Sequence, residues 1–507
     1  MKYVIGIDVG TSGVKTVLFS QDGSLCGSET GEYPLYQPQN GWAEQNPADW
    51  WKQTALSIRR LLEKTCVRRG EIEGVGLTGQ MHGLVMLDEN GSVLRSAIIW
   101  CDQRSGAQCD KMTRDLTRDR LIEFTANPAL TGFTAAKLLW VKENEPDIYA
   151  KCRHILLPKD YIRYKLTGEF ATDMSDASGM QLLDVKNRCW SKEMLDYFGL
   201  DEAMLAKPYE SPEITGTVNE QAARETGLTA GTKVAAGAGD NAAAAVGTGV
   251  VCDGRAFTTI GTSGVVFAHT SAPHVDPKGR VHTFCCAVPG AWHVMGVTQA
   301  AGLSLKWFRD ELCCELHAQA KADKQSIYRL MDDMAGKSPI GSNRLLFLPY
   351  LMGERTPHLD PGCRGVFFGL SAMHTRADLI RAVLEGVGYS LLDCYEILKE
   401  MGVCPDDMTL CGGGANSPVW KQMLCDMFAC PVSTVRLNEG AAQGAAILAA
   451  VGGGMFQSVW DACDTFVTKE QASAPNIQST ACYDSFYGVY KSLYPALRES
   501  FHKLSSL

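Results

Sequence analysis

The sequence predicts an α/β protein made of two structurally similar halves. One observation is an internal repeat, because the five residues at 10–14 (Gly-Thr-Ser-Gly-Val) recur letter for letter at 261–265. A second is that apolar, β-branched stretches flank both copies, which is typical of two strands joined by a glycine turn. A third is the alternation of strand-like and helix-like segments along the rest of the chain. Two β-hairpins of one design therefore indicate two similar domains.

The composition bounds the classes of function. The 507 residues are 45% hydrophobic and 21% charged, which is ordinary for a globular chain of more than one domain. The net charge of −9 argues against a partner with a phosphate backbone, since proteins that bind one usually carry a basic excess. No uninterrupted apolar run reaches the roughly 18–20 residues that span a bilayer. We expect neither a nucleic-acid partner nor membrane association.

The nineteen cysteines favour a reducing compartment. They are odd in number, scattered from Cys26 to Cys482, and contain no CxxC pair, so they indicate neither a disulfide framework nor a zinc ribbon. The first residues lead directly into an apolar strand and do not resemble a signal peptide. The expected location is the cytoplasm.

The first half opens with a hairpin and continues as mixed strands and helices. An alanine-rich helix at 242–246 follows a short strand, and we place the domain boundary just after it, which gives domains 1–247 and 248–507. Besides the hairpin strands, the predicted elements are strands at 74–78, 85–87, 97–100 and 234–236 and a helix at 135–144.

The second half carries clear helix start and stop signals. Thr375 and Asp378 form a capping box before a long apolar-periodic stretch, and Gly402 is a credible C-terminal stop. Ser417 and Pro418 supply an N-cap and a first helical residue for the next helix. The remaining predicted elements are strands at 408–411 and 432–435, a helix at 441–451 and a helical C-terminus at 483–507, which offers a surface for a homodimer.

The two glycine turns suit an anion that is held from both sides. Glycine lets backbone N–H groups approach phosphate oxygens, and the Thr and Ser hydroxyls add donors. Asp8 precedes the first turn by two residues, and beside a polyphosphate its charge calls for a divalent cation such as Mg²⁺, held through water. Lys15 on the returning strand offers further neutralisation. Ordinary tight hairpins explain the glycines equally well.

The loop at 237–242 formally matches the GxGxxA dinucleotide-binding pattern, which is a weak signal by itself. Asp240 lies inside this loop, where its carboxylate would face the pyrophosphate that the loop should hold. A general base that accepts a proton from a substrate hydroxyl is the better functional interpretation. From the spacing alone, a simple helix cap is equally well supported.

Other loops follow predicted strands, where open α/β sheets bind ligands. These are 80–83 (Gln-Met-His-Gly) and 100–104 (Trp-Cys-Asp-Gln-Arg). The triple glycine at 412–414 precedes a capped helix and suits a nucleotide, although an ordinary βα turn explains it as well. A single histidine such as His82 is more often structural than a ligand.

These motifs together resemble the FGGY family of carbohydrate kinases. Residues 5–15 are similar to its phosphate-1 motif, 259–264 to its phosphate-2 motif and 410–416 to its adenosine motif. Further similar segments, in the family's order, are 79–83, 131–140, 157–161, 171–179, 239–241, 348–357 and 365–385. The resemblance therefore runs from residue 5 to about 450 and is highly specific.

The resemblance implies two actin/hexokinase-type (ribonuclease-H-like) domains around a central catalytic cleft. It implies transfer of the γ-phosphoryl group of ATP, with Mg²⁺, to a terminal hydroxyl of an open-chain ketopentose, most similarly to the branch of the family that acts on D-xylulose at O5. Asp240 would act as base and Asp8 would help to position Mg–ATP. The implied sugar ligands are Gln80, Met81, His82, Trp100, Asp102, Asp240 and Asn241, and the implied ATP ligands are Gly10, Thr11, Ser12, Lys15, Gly261, Thr262, Ser263, Gly413, Gly414 and Asn416.

Three alternatives stay open at this point. Another ketopentose or a polyol could replace D-xylulose, because sister kinases share most of these motifs. A nicotinamide-dependent dehydrogenase could use the loop at 237–242, although it has no need of the duplicated glycine turn. An actin-like nucleotide-dependent binding protein would need no sugar pocket.

Overall fold

The computed structural model describes residues 1–437 and 439–506; Leu507, the last residue of the predicted C-terminal helix and second domain, lies outside the described residues. The strands are β1 (Tyr3–Val9), β2 (Gly13–Ser20), β3 (Leu25–Glu32), β4 (Glu44–Gln45), β5 (Ile72–Gly79), β6 (Val85–Leu87), β7 (Ala97–Ile98), β8 (His154–Leu156), β9 (Ala171–Asp173), β10 (Leu183–Asp184), β11 (Cys189–Trp190), β12 (Lys207–Tyr209), β13 (Ile214–Thr217), β14 (Lys233–Ala235), β15 (Ala238–Gly239), β16 (Arg255–Ile260), β17 (Gly264–Thr270), β18 (His282–Cys285), β19 (Trp292–Thr298), β20 (Leu346–Leu348), β21 (Val366–Phe368), β22 (Asp407–Cys411) and β23 (Val432–Ser433).

Eighteen α-helices are present in the described part of the chain. They are α1 (Pro47–Thr65), α2 (Gly106–Leu116), α3 (Arg118–Thr125), α4 (Thr134–Asn144), α5 (Pro146–Lys151), α6 (Pro158–Thr167), α7 (Met174–Ser178), α8 (Lys192–Phe198), α9 (Glu220–Thr226), α10 (Asp240–Gly247), α11 (Gly302–Leu312), α12 (Cys314–Ala322), α13 (Ile327–Ala335), α14 (Arg376–Glu400), α15 (Pro418–Phe428), α16 (Ala441–Gly452), α17 (Val459–Phe466) and α18 (Ile477–Ser505). None of these helices combines the length and the apolar character needed to cross a membrane.

Two mixed sheets of the same design carry the two halves. The first has the order β13-β14-β5-β1-β2-β3, with β15 also paired to β5, and the second has the order β18-β19-β17-β16-β22-β23. In each, a hairpin is extended by a third antiparallel strand on one side and by two parallel strands on the other. The predicted α/β fold of two similar halves is confirmed.

The two repeated hairpins differ by one residue in register. Val9 pairs with Val14 in the first, whereas Ile260 pairs with Gly264 in the second. The chain closes the two turns in similar ways, because the Gly10 N–H donates to the Gly13 carbonyl and the Gly261 N–H donates to the Ser263 carbonyl, both at 3.0 Å. Identical residues therefore form two turns that differ in length by one residue.

Two helices cross between the halves. α10 leads from the first sheet into β16, and α16 returns from the second half to pack on β1 and β5 of the first sheet. Small residues permit these contacts: a side-chain carbon at Gly444 would lie 1.8 Å from the Ala243 carbonyl oxygen, and one at Gly76 would lie 1.9 Å from that of Ala445. Although α16 falls in the predicted second domain, it completes the core of the first sheet.

Most predicted elements are present, with shifts at their ends. The capping box of α14 is formed by Thr375 and Asp378, and Gly402 has a left-handed φ of +80° just beyond the helix. The predicted strands at 97–100 and 432–435 are shorter, since only Ala97–Ile98 and Val432–Ser433 are paired as strands. Beyond those residues the backbone bonds to other segments, because the Ile99 N–H donates to the Ala43 carbonyl and Val435 forms an isolated bridge with Lys469.

Candidate active site

Three parallel strands bring the main polar residues of the first half together. Asp8 pairs with Thr78 across β1 and β5, and Thr78 pairs with Ala238 across β5 and β15. Gln80 and Asp240 follow directly where β5 and β15 end. Because parallel strands present their carboxyl ends at the same edge, this edge gathers the predicted catalytic residues.

Asp8 and Asp240 are two interacting carboxyls. Burial raises the pKa of Asp8 to about 6, against the opposing charge of Lys15. Burial, followed by the charge of Asp8, raises the pKa of Asp240 to about 7. Like charges at one edge thus favour a proton on Asp240 near neutral pH.

Asp240 has one engaged and one free carboxyl oxygen. It is the first residue of α10, and its Oδ1 accepts from the Asn241 N–H at 2.7 Å and from Asn241 Nδ2 at 2.9 Å. Within the described residues, Oδ2 accepts no protein hydrogen bond. The predicted cap is wrong by one residue, because Gly239 is the N-cap of α10 and Asp240 is its first helical residue. The contacts of Oδ1 with Asn241 leave Oδ2 available for the predicted role of base.

The backbone carbonyls of the first glycine turn accept hydrogen bonds from side chains that the sequence analysis did not select. The Tyr33 hydroxyl donates to the Gly10 carbonyl, and Gln45 Nε2 donates to the Thr11 carbonyl at 2.7 Å. Gln80 Nε2 donates to Gln45 Oε1 at 2.7 Å. Tyr33 and Gln45 precede the loop at 80–83 by dozens of residues, so only the folded sheet reveals their shared role.

Lys15, which the sequence predicts to contact ATP, forms an ion pair with a glutamate in the structure. Its ammonium lies 2.6 Å from the carboxylate of Glu439, which lies just before α16. The side chain is one-third exposed. Its predicted contact with ATP therefore has to compete with an ion pair that joins the two halves of the chain.

The second glycine turn and the triple-glycine loop line one cavity of about 460 Å³. Of the predicted ATP ligands, it contains Gly261, Thr262, Gly413, Gly414 and Asn416; Ser263 is not among its lining residues. The turn rests on the start of α11, where the Gly302 N–H donates to the Gly261 carbonyl at 2.8 Å. Lining residues that sequence reasoning missed include Lys306, Tyr328, Arg329, Asp332 and Trp420.

The loop at 80–83 packs against both halves. Met81 lies in one buried apolar cluster with Val265 and Met295 of the second sheet. His82 has a left-handed φ of +69°, and its Nδ1 lies 2.8 Å from the Gly179 carbonyl. That carbonyl requires the proton on Nδ1, which leaves Nε2 as an acceptor.

Lys137 holds this loop in place. Its ammonium donates to the His82 carbonyl at 2.9 Å and to the Gly132 carbonyl at 2.6 Å. Burial lowers the pKa of Lys137 to about 7 and, together with the charge of Lys137, lowers the pKa of His82 to about 3. His82 is therefore neutral at physiological pH.

Profiles of known families identify the chain. The N-terminal domain of the FGGY family of carbohydrate kinases matches residues 3–247, and the C-terminal domain of the same family matches residues 256–453. The chain belongs to the FGGY family of carbohydrate kinases. Membership of a kinase family decides against the dehydrogenase and the non-catalytic binding-protein alternatives.

Relatives of this FGGY kinase extend over nearly its whole length. A protein of Bacillus subtilis named xylulose kinase is 40% identical, covering 97% of both chains. A crystal structure of a xylulose kinase from Brucella ovis has a TM-score of 0.89 at 38% identity and covers 98% of this chain and 99% of its own. A ligand-bound xylulose kinase structure from Lactobacillus acidophilus has a TM-score of 0.92 at 27% identity, covering 99% and 100%.

Two predicted sugar ligands of the FGGY kinase have internal partners. Trp100 Nε1 donates to the Thr11 hydroxyl at 2.9 Å, which ties it to the first glycine turn. Asp102 is fully buried, and its oxygens accept from the Ala43 N–H and from Arg104. The contacts of Asp102 favour a role in holding this strand end, and its direct contact with sugar stays a prediction.

Proposed function

We propose that this kinase transfers the γ-phosphoryl group of ATP to O5 of D-xylulose, giving D-xylulose 5-phosphate. The relatives named xylulose kinase support this substrate. The observation that carries the reaction is the free Oδ2 of Asp240, which lies beside Asp8 at the strand edge next to the first glycine turn. Other ketopentoses and polyols are the alternative acceptors.

The sugar would lie between the loop at 80–83 and the start of α10. The neutral His82 offers the Nε2 lone pair to a sugar hydroxyl, and Asn241 follows Asp240 on the same helical turn. The other proposed sugar contacts are Gln80, Met81, Trp100 and Asp102.

ATP would lie across the two halves. The turns at 10–12 and 261–263 would hold its phosphates from opposite sides, because glycine backbone N–H groups and hydroxyls suit phosphate oxygens. The cavity lined by Gly413, Gly414 and Asn416 would take the nucleoside, with the indole of Trp420 among its walls. Lys15 would join the phosphate contacts if it leaves Glu439.

The residues at the strand edge fit Mg²⁺. Two half-buried carboxyls with raised pKa values, in which the charge of Asp8 helps to raise the pKa of Asp240, form an environment in which a divalent cation offsets charge. Asp8 would hold the ion, through water. When bound, Mg²⁺ neutralises the charge of the phosphate oxygens.

The chain's own contribution is positioning and proton removal. The oxygen of the sugar hydroxyl attacks the γ-phosphorus as Asp240 Oδ2 accepts the hydroxyl proton, and ADP leaves. The transition state of phosphoryl transfer is loose, so alignment of donor and acceptor supplies most of the rate. General-base assistance contributes about 10²–10⁴-fold.

A coupled ADP-release assay over a sugar panel tests this proposal. The panel contains D-xylulose, D-ribulose, L-ribulose, L-fuculose, glycerol and erythritol, each with Mg–ATP. We expect the highest kcat/KM with D-xylulose, and phosphorus NMR of the product should place the phosphate on O5. A higher kcat/KM with another sugar would identify that sugar as the substrate instead of D-xylulose. ADP release that does not depend on sugar would contradict the proposed phosphoryl transfer.

A further inference from the structure

Arg355 lies on the long connection between β20 and β21, and its side chain reaches Gly132 of the first half. Its neighbours fix this segment firmly. The Thr356 N–H donates to the Val297 carbonyl at 3.0 Å, and the Val297 N–H donates back to the Thr356 hydroxyl at 3.1 Å. The buried carboxylate of Glu354 accepts from the Thr298 hydroxyl at 2.6 Å and from the Gln299 N–H at 2.9 Å. The backbone of Arg355 is therefore held on both sides.

The guanidinium of Arg355 has no partner of its own. Within the described residues it forms no hydrogen bond and lies within 4.0 Å of no carboxylate. The buried arginines Arg104, Arg163 and Arg381, in contrast, each form an ion pair with a carboxylate. Burial lowers the pKa of Arg355, although the charge of the neighbouring Glu354 opposes this effect, and the residue is half-buried. A guanidinium that has no hydrogen-bond acceptor from the protein leaves its N–H groups available to a ligand with acceptor atoms.

The position of Arg355 is at the His82 end of the proposed sugar site. A side-chain carbon built at Gly132 would lie 3.9 Å from its Nη2 and 3.2 Å from the Trp100 carbonyl oxygen. The charge of Arg355 contributes to the low pKa of His82 and of His282. Lys137 donates to the carbonyls of both His82 and Gly132, so Arg355 lies beside the His82 loop, whereas Asp240 begins α10.

We propose that Arg355 selects ketoses by donating to the C2 carbonyl oxygen of the open-chain sugar, at the end opposite the hydroxyl that Asp240 deprotonates. This rests on the proposed function. A guanidinium has only donors, and a carbonyl oxygen has only acceptor sites, so the two are complementary. In the corresponding polyols, C2 is tetrahedral and carries a hydroxyl, whose hydrogen must be directed away from Arg355. The cation thus favours the ketone over its reduced forms.

The test compares D-xylulose with xylitol and D-arabitol, its two C2-reduced forms, in the wild type and Arg355→Met. Hydrogen bonds to charged groups predict a loss of about tenfold or more in kcat/KM for D-xylulose. For the two polyols we expect a smaller loss, so that the ketose-to-polyol ratio falls by about tenfold. The KM for Mg–ATP should stay unchanged. Arg355→Lys, which keeps the charge, should recover part of the ratio.

Arg364→Met is the matched control, because among the described residues this exposed arginine of the same connection donates only to the Pro361 and Cys363 carbonyls. It should leave the ketose-to-polyol ratio unchanged.

An equal loss for ketose and polyols in Arg355→Met would overturn the proposal in favour of a structural role, and a raised KM for Mg–ATP would place Arg355 at the phosphates. If the wild type does not phosphorylate D-xylulose, the proposed function fails first; if it does and the ratio stays constant, only the role of Arg355 fails.

Discussion

At the scale of single residues, the two carboxyl oxygens of Asp240 have different surroundings. Its Oδ1 serves the first turn of α10, and its Oδ2 is free to accept a proton. The sequence placed the carboxylate correctly because the glycines around it mark the strand end. It did not reveal the raised pKa, since that depends on burial and on Asp8, more than 200 residues away in the chain.

The pH dependence of turnover follows from this raised pKa. Asp240 is a base only when deprotonated, so kcat/KM for the sugar should fall as the pH drops through about 7 and reach a plateau above it. Initial rates between pH 5.5 and 9 measure the profile. Asp253→Asn is the control, because this carboxyl lies near Ser271 and has a lowered pKa. A flat wild-type profile across pH 6–8 would contradict the role of Asp240.

The stability of the protein should show the opposite pH trend. A carboxyl whose pKa is raised on folding stabilises the folded state at low pH, and this contribution is lost as the pH rises through the folded value. Asp240→Asn removes the titrating group. We expect its Tm to exceed that of the wild type more at pH 8 than at pH 5, measured by thermal unfolding. An equal difference at both values would argue that Asp240 is not buried beside Asp8.

At the scale of elements, the crossing of α10 and α16 supports the strand edge that we propose to be catalytic. Gly444 brings the backbone of α16 against Ala243, three residues after Asp240. The helices themselves were predictable from their alanine-rich sequences. Their crossing was not, because close packing of two distant segments leaves no periodic signal in either one.

Substitution of Gly444 tests this crossing. Gly444→Ala places a carbon against a backbone oxygen, so the helices must separate; we expect a loss of about 1–3 kcal/mol in the free energy of unfolding and a reduced kcat. Gly488→Ala, in an open position of α18, is the matched control and should stabilise by about 0.5–1 kcal/mol. Denaturant unfolding gives both values. Equal effects of the two substitutions would refute the tight crossing.

A buried ion network supports the same edge. The ammonium of Lys159 lies 2.6 Å from Asp160, 2.7 Å from Asp173 and 3.3 Å from Asp176. Asp173 also accepts from Ser175, whose hydroxyl oxygen accepts from the Gly239 N–H at 3.0 Å. The network therefore fixes the residue before Asp240. The sequence resemblance included these residues, but only the structure shows how they connect.

Removal of the central cation should be costly. Lys159→Met leaves three buried carboxyls with one fewer cation, and we expect a loss of about 3–5 kcal/mol in the free energy of unfolding. Lys111→Met, which removes an exposed lysine paired with Glu143, is the control and should change little. Urea titrations of both variants and the wild type measure the free energies of unfolding. If Lys159→Met leaves the free energy of unfolding nearly unchanged, the stability of the network does not depend on its charge balance.

At the scale of the whole molecule, two equivalent sheets each contribute half of the proposed ATP site. The duplicated pentapeptide predicted this symmetry because each copy forms a glycine turn between two antiparallel strands. The nucleotide cavity was only partly predictable, since Lys306, Tyr328 and Trp420 reach it from separate helices. The domain boundary at 247, the homodimer and the cytoplasmic location stay predictions.

Closure of the cleft is expected when sugar and a non-hydrolysable ATP analogue bind together, because the ligands would join both halves and exclude water. Small-angle scattering should show a smaller radius of gyration with both ligands than with neither. The Asp240→Asn variant should compact similarly, since it keeps the shape of the site. An unchanged radius with both ligands at saturation would contradict a cleft that closes.

Sugar-dependent ADP release by Asp240→Asn beside the wild type tests the role of Asp240. We expect kcat with D-xylulose to fall by about 10²–10⁴-fold while the far-ultraviolet circular dichroism and the affinity for Mg–ATP are preserved. Near-native turnover in a folded variant would contradict the assignment of Asp240 as the base that activates the sugar hydroxyl.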